Sequence, residues 1–123
     1  MIGIGTDIVS VERIRQIHQR FQQRFAQKIL SQHELSEYYQ MQHPVHFLAK
    51  RFAAKEATVK ALGTGFSQGI HYADISIIHD AKGKPELRLS GVAEDISNHL
   101  EVNKIHLSIS DEREYALAFV VCE

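Results

Sequence analysis

The chain is poor in the residues that mark several classes of protein. It has no tryptophan, one cysteine, two prolines and two methionines among its 123 residues. A single cysteine, Cys122, excludes an internal disulfide framework, and there is no group of thiolates that could bind zinc. No apolar run approaches the roughly 20 residues that cross a bilayer, and nothing resembles a signal peptide. We therefore expect a cytoplasmic protein with no membrane partner.

Recognisable catalytic motifs are also missing. The eight histidines are scattered along the chain, and the one close pair, His43 and His46, has Pro44 between them. The sequence has no H-E-x-x-H spacing, no G-x-S-x-G elbow and no G-x-G-x-x-G fingerprint with a downstream acid. A histidine zinc site is therefore not expected. Basic residues interleaved with aromatic ones are too few for a nucleic-acid surface.

Net charge is close to zero, but the charges are unevenly distributed. The formal net charge is −1. Residues 1–62 hold nine Lys and Arg against five Asp and Glu, whereas residues 63–123 hold five against ten. The asymmetry is consistent with an electropositive face that meets an acidic partner, and equally with ordinary solvated surfaces.

Length and composition are ordinary for a globular protein, with 44% apolar and 24% charged residues. A chain of this length can bury a core without disulfides or metals. No internal repeat, low-complexity segment or linker is present. We predict one domain over residues 1–123.

The first half of the chain is predicted to be mainly helical. Ser10 is a suitable N-cap for an amphipathic helix whose apolar stripe continues to Phe25 at three- and four-residue steps. Ser31-Gln32-His33-Glu34 is a capping box that opens a short helix ending near Met41. A longer helix is predicted over residues 44–63, with proline in its first turn and glycine at its end.

Alternation of residue types predicts strands at both ends of the chain. Residues 1–9 alternate with a period of two, which places isoleucines on one face and Gly3, Gly5 and Asp7 on the other. Glycine within a strand usually marks the close approach of another group. The remaining predicted elements are a helix at about 91–100 and strands at about 73–78, 86–90, 105–110 and 115–121. We predict an α+β fold, with a mainly antiparallel sheet of about five strands packed with helices.

The stretch RFAAKEATVKALGTG, residues 51–65, contains the densest group of candidate functional residues. Glu56 and Lys60 are four residues apart on one helical face, and this spacing alone indicates a surface ion pair. However, Arg51, Lys55 and Lys60 outnumber the single acid. The excess of cations suggests that some of them bind an anionic ligand.

The segment Gly63-Thr64-Gly65 ends this helix, and its backbone can approach a ligand closely. In a P-loop the glycines precede a helix whose positive end holds the phosphate. Here they follow the negative C-terminal end, so a bound anion would need lysine, arginine or a metal.

Asp7 and Glu56 lie on two regular elements that we expect to face each other. Asp7 alone is also consistent with a residue that merely ends a strand. Two carboxylates and waters are the usual ligands of Mg²⁺, with substrate phosphate oxygens completing the shell. The pair therefore predicts a magnesium–phosphate site.

Four segments together carry a family resemblance: GIGTDIV at 3–9, FLAKRFAAKEATVKALGTG at 47–65, GKP at 83–85 and ISDEREYALAFVV at 109–121. They resemble the holo-acyl-carrier-protein synthase family of phosphopantetheinyl transferases, in its short, trimeric branch. The resemblance implies the phosphopantetheinyl transferase fold. It also implies Mg²⁺-dependent transfer of 4′-phosphopantetheine from coenzyme A to a serine of apo acyl carrier protein. Adenosine 3′,5′-bisphosphate would be released, and the reaction would belong to fatty acid biosynthesis.

The same resemblance implies roles for individual residues. Asp7 and Glu56 would bind Mg²⁺, and Glu56 is also the nearest candidate base for the serine proton. Lys60 would neutralise phosphate during catalysis. The positions that would serve the coenzyme are Arg51, Lys55, Lys60, Gly63, Thr64 and Gly65.

Two arginines of the first helix are implied to contact the carrier protein. Arg13 matches the family's arginine that meets the acidic recognition helix, and Arg20 is a weaker extension of the same idea. The residues alone leave two interpretations open, because arginines at this spacing are either simply solvated or form a docking surface for carboxylates.

The resemblance further implies a homotrimer with its sites at the junctions of subunits. Residues 108–111 would then reach the nucleotide end of the coenzyme from the adjacent subunit. Many relatives have histidine where this chain has Asp111, and an aspartate cannot neutralise a 3′-phosphate. That role would pass to other groups, such as His106 or Arg51, or be absent, and Asp111 is not expected to belong to the site.

Two functions other than phosphopantetheine transfer are also compatible with the sequence. One is a carrier-protein-binding module without transfer, although the presence of Asp7, Glu56 and Lys60 argues against it. The other is a magnesium-dependent phosphohydrolase that uses water as the nucleophile.

Overall fold

The computed structural model describes all residues, 1–123, and shows five strands, five α-helices and one 3-10 turn. The expected α+β class is confirmed. In chain order the elements are β1 Gly3–Ser10, α1 Val11–Phe21, α2 Gln23–Ile29, α3 Gln32–Tyr38, α4 Val45–Leu62, the 3-10 turn Tyr72–Asp74, β2 Ile75–His79, β3 Pro85–Leu89, α5 Gly91–His99, β4 Ile105–Asp111 and β5 Tyr115–Cys122.

The five strands are antiparallel as expected, but they are divided between two sheets. One sheet has the order β1-β5-β4, and β2 and β3 form a separate hairpin. The chain between β3 and β4 forms α5. A small cleft lined by residues of β3, α5 and the start of β4 lies between the two sheets.

The first predicted helix is in fact two helices. It ends at Phe21 because Gln22 has a φ of +53°, outside the right-handed helical region. The change of direction allows α2 to bury Ala26 and Ile29, whereas Phe21 remains 39% exposed. The predicted apolar stripe is therefore interrupted at Phe21.

The predicted boundaries of the next two helices are close to those observed. The hydroxyl of Ser31 accepts a hydrogen bond from the Glu34 N–H, and the Glu34 carboxylate accepts one from the Ser31 N–H, so the capping box is present. The short helix ends at Tyr38, slightly earlier than expected. Helix α4 ends at Gly63, which has a left-handed φ of +80°.

Helix α4 is the centre of the fold, and β1 lies directly on it. A Cβ atom placed on Gly5 would collide with the carbonyl oxygen of Ala57, and one on Gly3 would collide with that of Ala61. The two glycines therefore allow the close approach that the sequence suggested. They also determine that the glycine face of β1, which includes Asp7, faces the helix.

The opposite face of the three-stranded sheet is apolar and uncovered. Its exposed side chains, between 38% and 61% accessible, are Ile4, Ile8, Tyr115, Leu117 and Phe119. An apolar face of this extent is unusual on an isolated domain.

Candidate active site

Asp7 lies where β1 crosses α4, beside the helical turn that carries Glu56 and Lys60. Asp7 follows Gly3 and Gly5 on the same face of the strand, so its carboxylate lies against the last turns of the helix. Its side chain is 18% exposed. The hydroxyl of Tyr72 lies beside Glu56. Burial raises the pKa of Tyr72, and the hydrogen bond to Glu56, the charge of Glu56 and the charge of Asp7 raise it further.

Lys60 bridges the helix and the strand at the rim of this cluster. Its ammonium donates to Oδ1 of Asp7 at 3.1 Å and to the carbonyl oxygen of Thr6 at 3.0 Å. It forms no ion pair with Glu56, so the interpretation of these two residues as a surface i,i+4 pair is wrong. The Lys60 side chain is 52% exposed, which leaves it free to turn towards a ligand.

Glu56 is held by a residue that the sequence analysis did not identify. The Tyr72 hydroxyl donates to Oε1 of Glu56 at 2.8 Å. The tyrosine ring is stacked between Phe52 and Phe66, at centroid distances of 5.9 and 3.8 Å. Tyr72 belongs to a 3-10 turn in a different part of the chain, and no local spacing connects it to Glu56.

The Gly63–Gly65 segment is open on its outer side. Gly63 and Gly65 have left-handed φ values of +80° and +58°, and a Cβ atom on either would meet no other atom within 4 Å. The N–H groups of Gly63, Thr64 and Gly65 already donate to the last carbonyls of α4. A ligand here would therefore contact the open surface of the loop rather than free backbone donors.

Lys55 does not belong to this cluster, so its predicted role at the coenzyme is corrected. The residue is fully buried. Its ammonium donates to Oε1 of Glu34 at 2.6 Å and to the carbonyls of Ile29 and Tyr72, which uses all three of its protons. Because Lys55 lies one residue before Glu56, it projects about 100° away around the helix, towards α2 and α3.

Arg51 also points away from this cluster within one chain, and its role at the coenzyme stays a prediction. Its side chain is only 4% exposed, with Nε 3.3 Å from Oε2 of Glu34 and Nη2 3.9 Å from Oε2 of Glu37. The guanidinium lies over the ring of Phe47, 4.6 Å from its centroid. Burial lowers the pKa of both Arg51 and Lys55, and Glu34 opposes that shift.

The apparent excess of cations in the central stretch thus has a structural explanation. Glu34, fully buried, pairs with both Lys55 and Arg51, and Glu37 adds a second carboxylate beside Arg51. Glu34 also accepts the backbone N–H of Ile77 at 3.0 Å. The capping box had already identified Glu34 as a structural acid. Its second role, as the partner of Arg51 and Lys55, was not predicted from the sequence.

His106 lies on the other side of the sheet from Asp7. It is in register with Val121 and Ile4 on the outer face, whereas Asp7 is in register with Ala118 and Ile109 on the inner face. Its ring nitrogen is 2.7 Å from Oε2 of Glu123. Within one chain His106 cannot contribute to the cluster, and its role at the coenzyme stays a prediction that requires a neighbouring subunit.

Arg13 and Arg20 are exposed on α1, seven residues apart and so on one face. Neither forms an ion pair within the chain, although the guanidinium of Arg20 lies 5.1 Å from the centre of the Phe21 ring. Beside them a groove of about 430 Å³ is lined by Ile17, Phe21, Arg24, Phe25 and Lys28. Unpaired cations next to apolar side chains are suited to an acidic amphipathic partner.

The arrangement fits a divalent cation that brings its own ligands. No three His, Cys, Asp or Glu side chains come together anywhere in the chain. Asp7 and Glu56 supply two hard oxygen donors, which suits Mg²⁺ completed by water and phosphate oxygens rather than an all-protein metal cage. None of the helices combines the length and apolar character needed to span a bilayer.

Comparison with known proteins relates the whole chain to one family. The family model described as the 4′-phosphopantetheinyl transferase superfamily matches residues 3–120. A holo-acyl-carrier-protein synthase from Vibrio cholerae is 49% identical over 123 residues, which covers all of this chain and 98% of the relative.

Solved structures give the same result. The crystal structure of a holo-acyl-carrier-protein synthase from Neisseria meningitidis matches with a TM-score of 0.94 and 46% identity, covering 100% of this chain and 98% of that one. The Helicobacter pylori synthase, solved in complex with coenzyme A, matches with a TM-score of 0.85 and 32% identity, covering 98% and 99%.

Proposed function

The chain belongs to the 4′-phosphopantetheinyl transferase superfamily, and from that premise we propose that it is a holo-acyl-carrier-protein synthase. It transfers 4′-phosphopantetheine from coenzyme A to a serine hydroxyl of apo acyl carrier protein and releases adenosine 3′,5′-bisphosphate. The observation that carries the proposal is the close packing of β1 on α4, which brings Asp7, Glu56 and Lys60 to one place. The reaction is placed in the cytoplasm, with the carrier protein of fatty acid synthesis.

The charges of the cluster suit attack at a diphosphate ester. Asp7 and Glu56 would hold Mg²⁺, which when bound neutralises the diphosphate and stabilises charge on the leaving group. The half-exposed ammonium of Lys60 can turn from Asp7 to a phosphate oxygen, where it stabilises the transition state more than the ground state.

The serine proton requires a base close to the phosphorus. Oε1 of Glu56 is engaged by Tyr72, and Oε2 has no hydrogen-bond partner in the chain. We propose that Oε2, directly or through water, accepts the proton of the carrier serine. The open Gly63–Gly65 segment lies beyond the end of the same helix and is proposed to contact the coenzyme.

Carrier docking is assigned to the basic face of α1. Arg13 and Arg20 lack intramolecular carboxylate partners, and the adjacent groove offers an apolar contact. An acidic, amphipathic helix of the carrier protein is complementary to both features. Its serine would then approach the cluster from the β1–α4 side.

A homotrimer is proposed to cover the uncovered face of the three-stranded sheet. That face carries large apolar side chains that the chain itself does not bury. His106 belongs to the same face, so a neighbouring subunit is the route by which it would reach a coenzyme. Sedimentation equilibrium tests this assembly, and a monomer at micromolar concentration would contradict it.

A transfer assay tests the proposed reaction. Apo carrier protein is incubated with coenzyme A, Mg²⁺ and the chain, and its mass is followed by mass spectrometry. We expect the mass of one phosphopantetheine group to be added, and EDTA to abolish the addition. No mass gain would favour a binding module, and bisphosphate release at full rate without carrier protein would indicate a phosphohydrolase.

A further inference from the structure

Tyr72 lies outside all four segments that resemble the family, yet it contacts the central acid directly. Its hydroxyl donates to Oε1 of Glu56 at 2.8 Å. This is the only hydrogen bond from a protein side chain to that carboxylate, and Glu56 forms no ion pair. No other hydrogen bond or ion pair within the chain fixes the orientation of its carboxylate group.

The tyrosine is itself immobilised at two points. Its ring is stacked against Phe66 at an interplanar angle of 21° and against Phe52 at 17°. Its backbone carbonyl accepts a hydrogen bond of 3.1 Å from the buried ammonium of Lys55. Since Lys55 is fixed by Glu34, the hydroxyl is presented by a rigid support.

Glu56 needs such support because the ammonium of Lys60 pairs with Asp7 and not with Glu56. Without the Tyr72 hydroxyl, the long side chain of Glu56 would have no hydrogen-bonding partner in the chain. We propose that the Tyr72 hydroxyl is a positioning group, which holds Oε1 of Glu56 and leaves Oε2 for the cation and the incoming serine. This inference rests on the proposed function and identifies the residue that keeps Glu56 in place.

The variant Tyr72→Phe tests the proposal, because it removes the hydroxyl and retains both the ring stack and the carbonyl contact. The loss of one hydrogen bond to a charged group should lower kcat about tenfold. Binding of Mn²⁺ in the presence of coenzyme A, measured by electron paramagnetic resonance without carrier protein, should weaken by about the same factor. The KM for carrier protein and the affinity for coenzyme A in EDTA should not change.

Two controls separate positioning from a general effect. Tyr39→Phe removes another tyrosine hydroxyl, which is bonded to Gln27 on the exposed surface at 3.2 Å, and should leave Mn²⁺ binding and kcat unchanged. In a Glu56→Gln background, Tyr72→Phe should have no further effect on Mn²⁺ binding if it acts through Glu56.

Three results would overturn the inference. They are unchanged Mn²⁺ binding and kcat in Tyr72→Phe, an undiminished effect in the Glu56→Gln background, and an equal loss of coenzyme A affinity in EDTA. The last would show that Tyr72 supports the coenzyme surface and not the acid. If the wild-type chain failed to transfer phosphopantetheine at all, the proposed function would fall, while the Mn²⁺ comparison would still decide the role of Tyr72.

Discussion

Two lysines five residues apart on α4 occupy opposite environments. Lys55 has no exposed surface and donates three hydrogen bonds, one of them to the buried carboxylate of Glu34. Lys60 is half exposed to solvent, and its only carboxylate partner is Asp7. The helix therefore has an inner face on which buried cations are paired with carboxylates of the fold and an outer face on which an exposed cation is only loosely paired.

The difference shows how one helix can support both folding and chemistry. On the inner face, removing a charge leaves its partner buried and unpaired, at a cost of roughly 3–5 kcal/mol. On the outer face, ion pairs contribute about 1 kcal/mol or less and can be exchanged for a ligand. Substitutions on the two faces, and on the surfaces beside them, test whether they differ in this way.

The largest effect is expected from the matched substitutions Lys55→Met and Lys60→Met. Lys55→Met should lower the free energy of unfolding by about 3–5 kcal/mol, because buried Glu34 would lose the nearer of its two cations and its hydrogen bond. Lys60→Met should change it by less than about 1 kcal/mol. Urea denaturation of both variants measures the contrast, and equal losses would show that the two faces do not differ.

The second prediction concerns Glu56. Glu56→Gln keeps the shape of the side chain but removes the charge and the base, so kcat should fall by about a hundredfold or more. Single-turnover transfer to carrier protein measures it, and the oligomeric state and melting temperature should be unchanged. Glu37→Gln, on the inner side and partly exposed, is the control and should retain full activity. Retained activity in Glu56→Gln would remove this acid from the mechanism.

The third prediction uses Lys60→Met to test whether the Lys60 ammonium exchanges between Asp7 and a phosphate ligand. Without the ammonium, Asp7 is released from its only ion pair, so Mn²⁺ alone should bind about two- to fivefold more tightly. Coenzyme A should bind about tenfold more weakly, since a cation for its phosphates is lost. Isothermal titration measures both affinities, and a parallel decrease in the two would contradict the exchange of Lys60 between carboxylate and phosphate.

The smallest effect is expected at the carrier surface. Arg13→Ala should raise the KM for carrier protein about two- to fivefold at low salt and less at high salt, while coenzyme A binding is spared. Arg15→Ala is the matched control, because Arg15 already pairs with Glu12 at 2.8 Å. An effect of Arg13→Ala that does not vary with salt would mean that Arg13 only packs the helix.

The sequence predicted those features that depend on near neighbours. The alternation in β1, the capping box of α3 and the glycine end of α4 are local patterns, and the structure has all three. The break between α1 and α2 at Gln22 was not predictable in this way, because Gln22 has a positive φ although it is not a glycine. It serves the burial of Ala26 and Ile29 against the rest of the core.

The errors in the candidate site have a similar origin. Counting charges along residues 51–60 made Arg51 and Lys55 look unpaired, but their acid, Glu34, lies on α3. The contact of Tyr72 with Glu56 was not predicted, because Tyr72 lies in a turn sixteen residues further along the chain. Partners that only tertiary structure brings together cannot be recovered from the spacing of residues on one helix.

The glycines of β1 determine how closely the strand that carries Asp7 approaches the helix that carries Glu56. Because neither Gly3 nor Gly5 has a side chain, backbone touches backbone where strand and helix cross. The distance between the backbones of β1 and α4, which carry the two acids, is therefore set by peptide groups rather than by side chains that could be exchanged or repacked. A single methyl group added at Gly5 would push the strand away from the helix and separate Asp7 from the helical turn that carries Glu56.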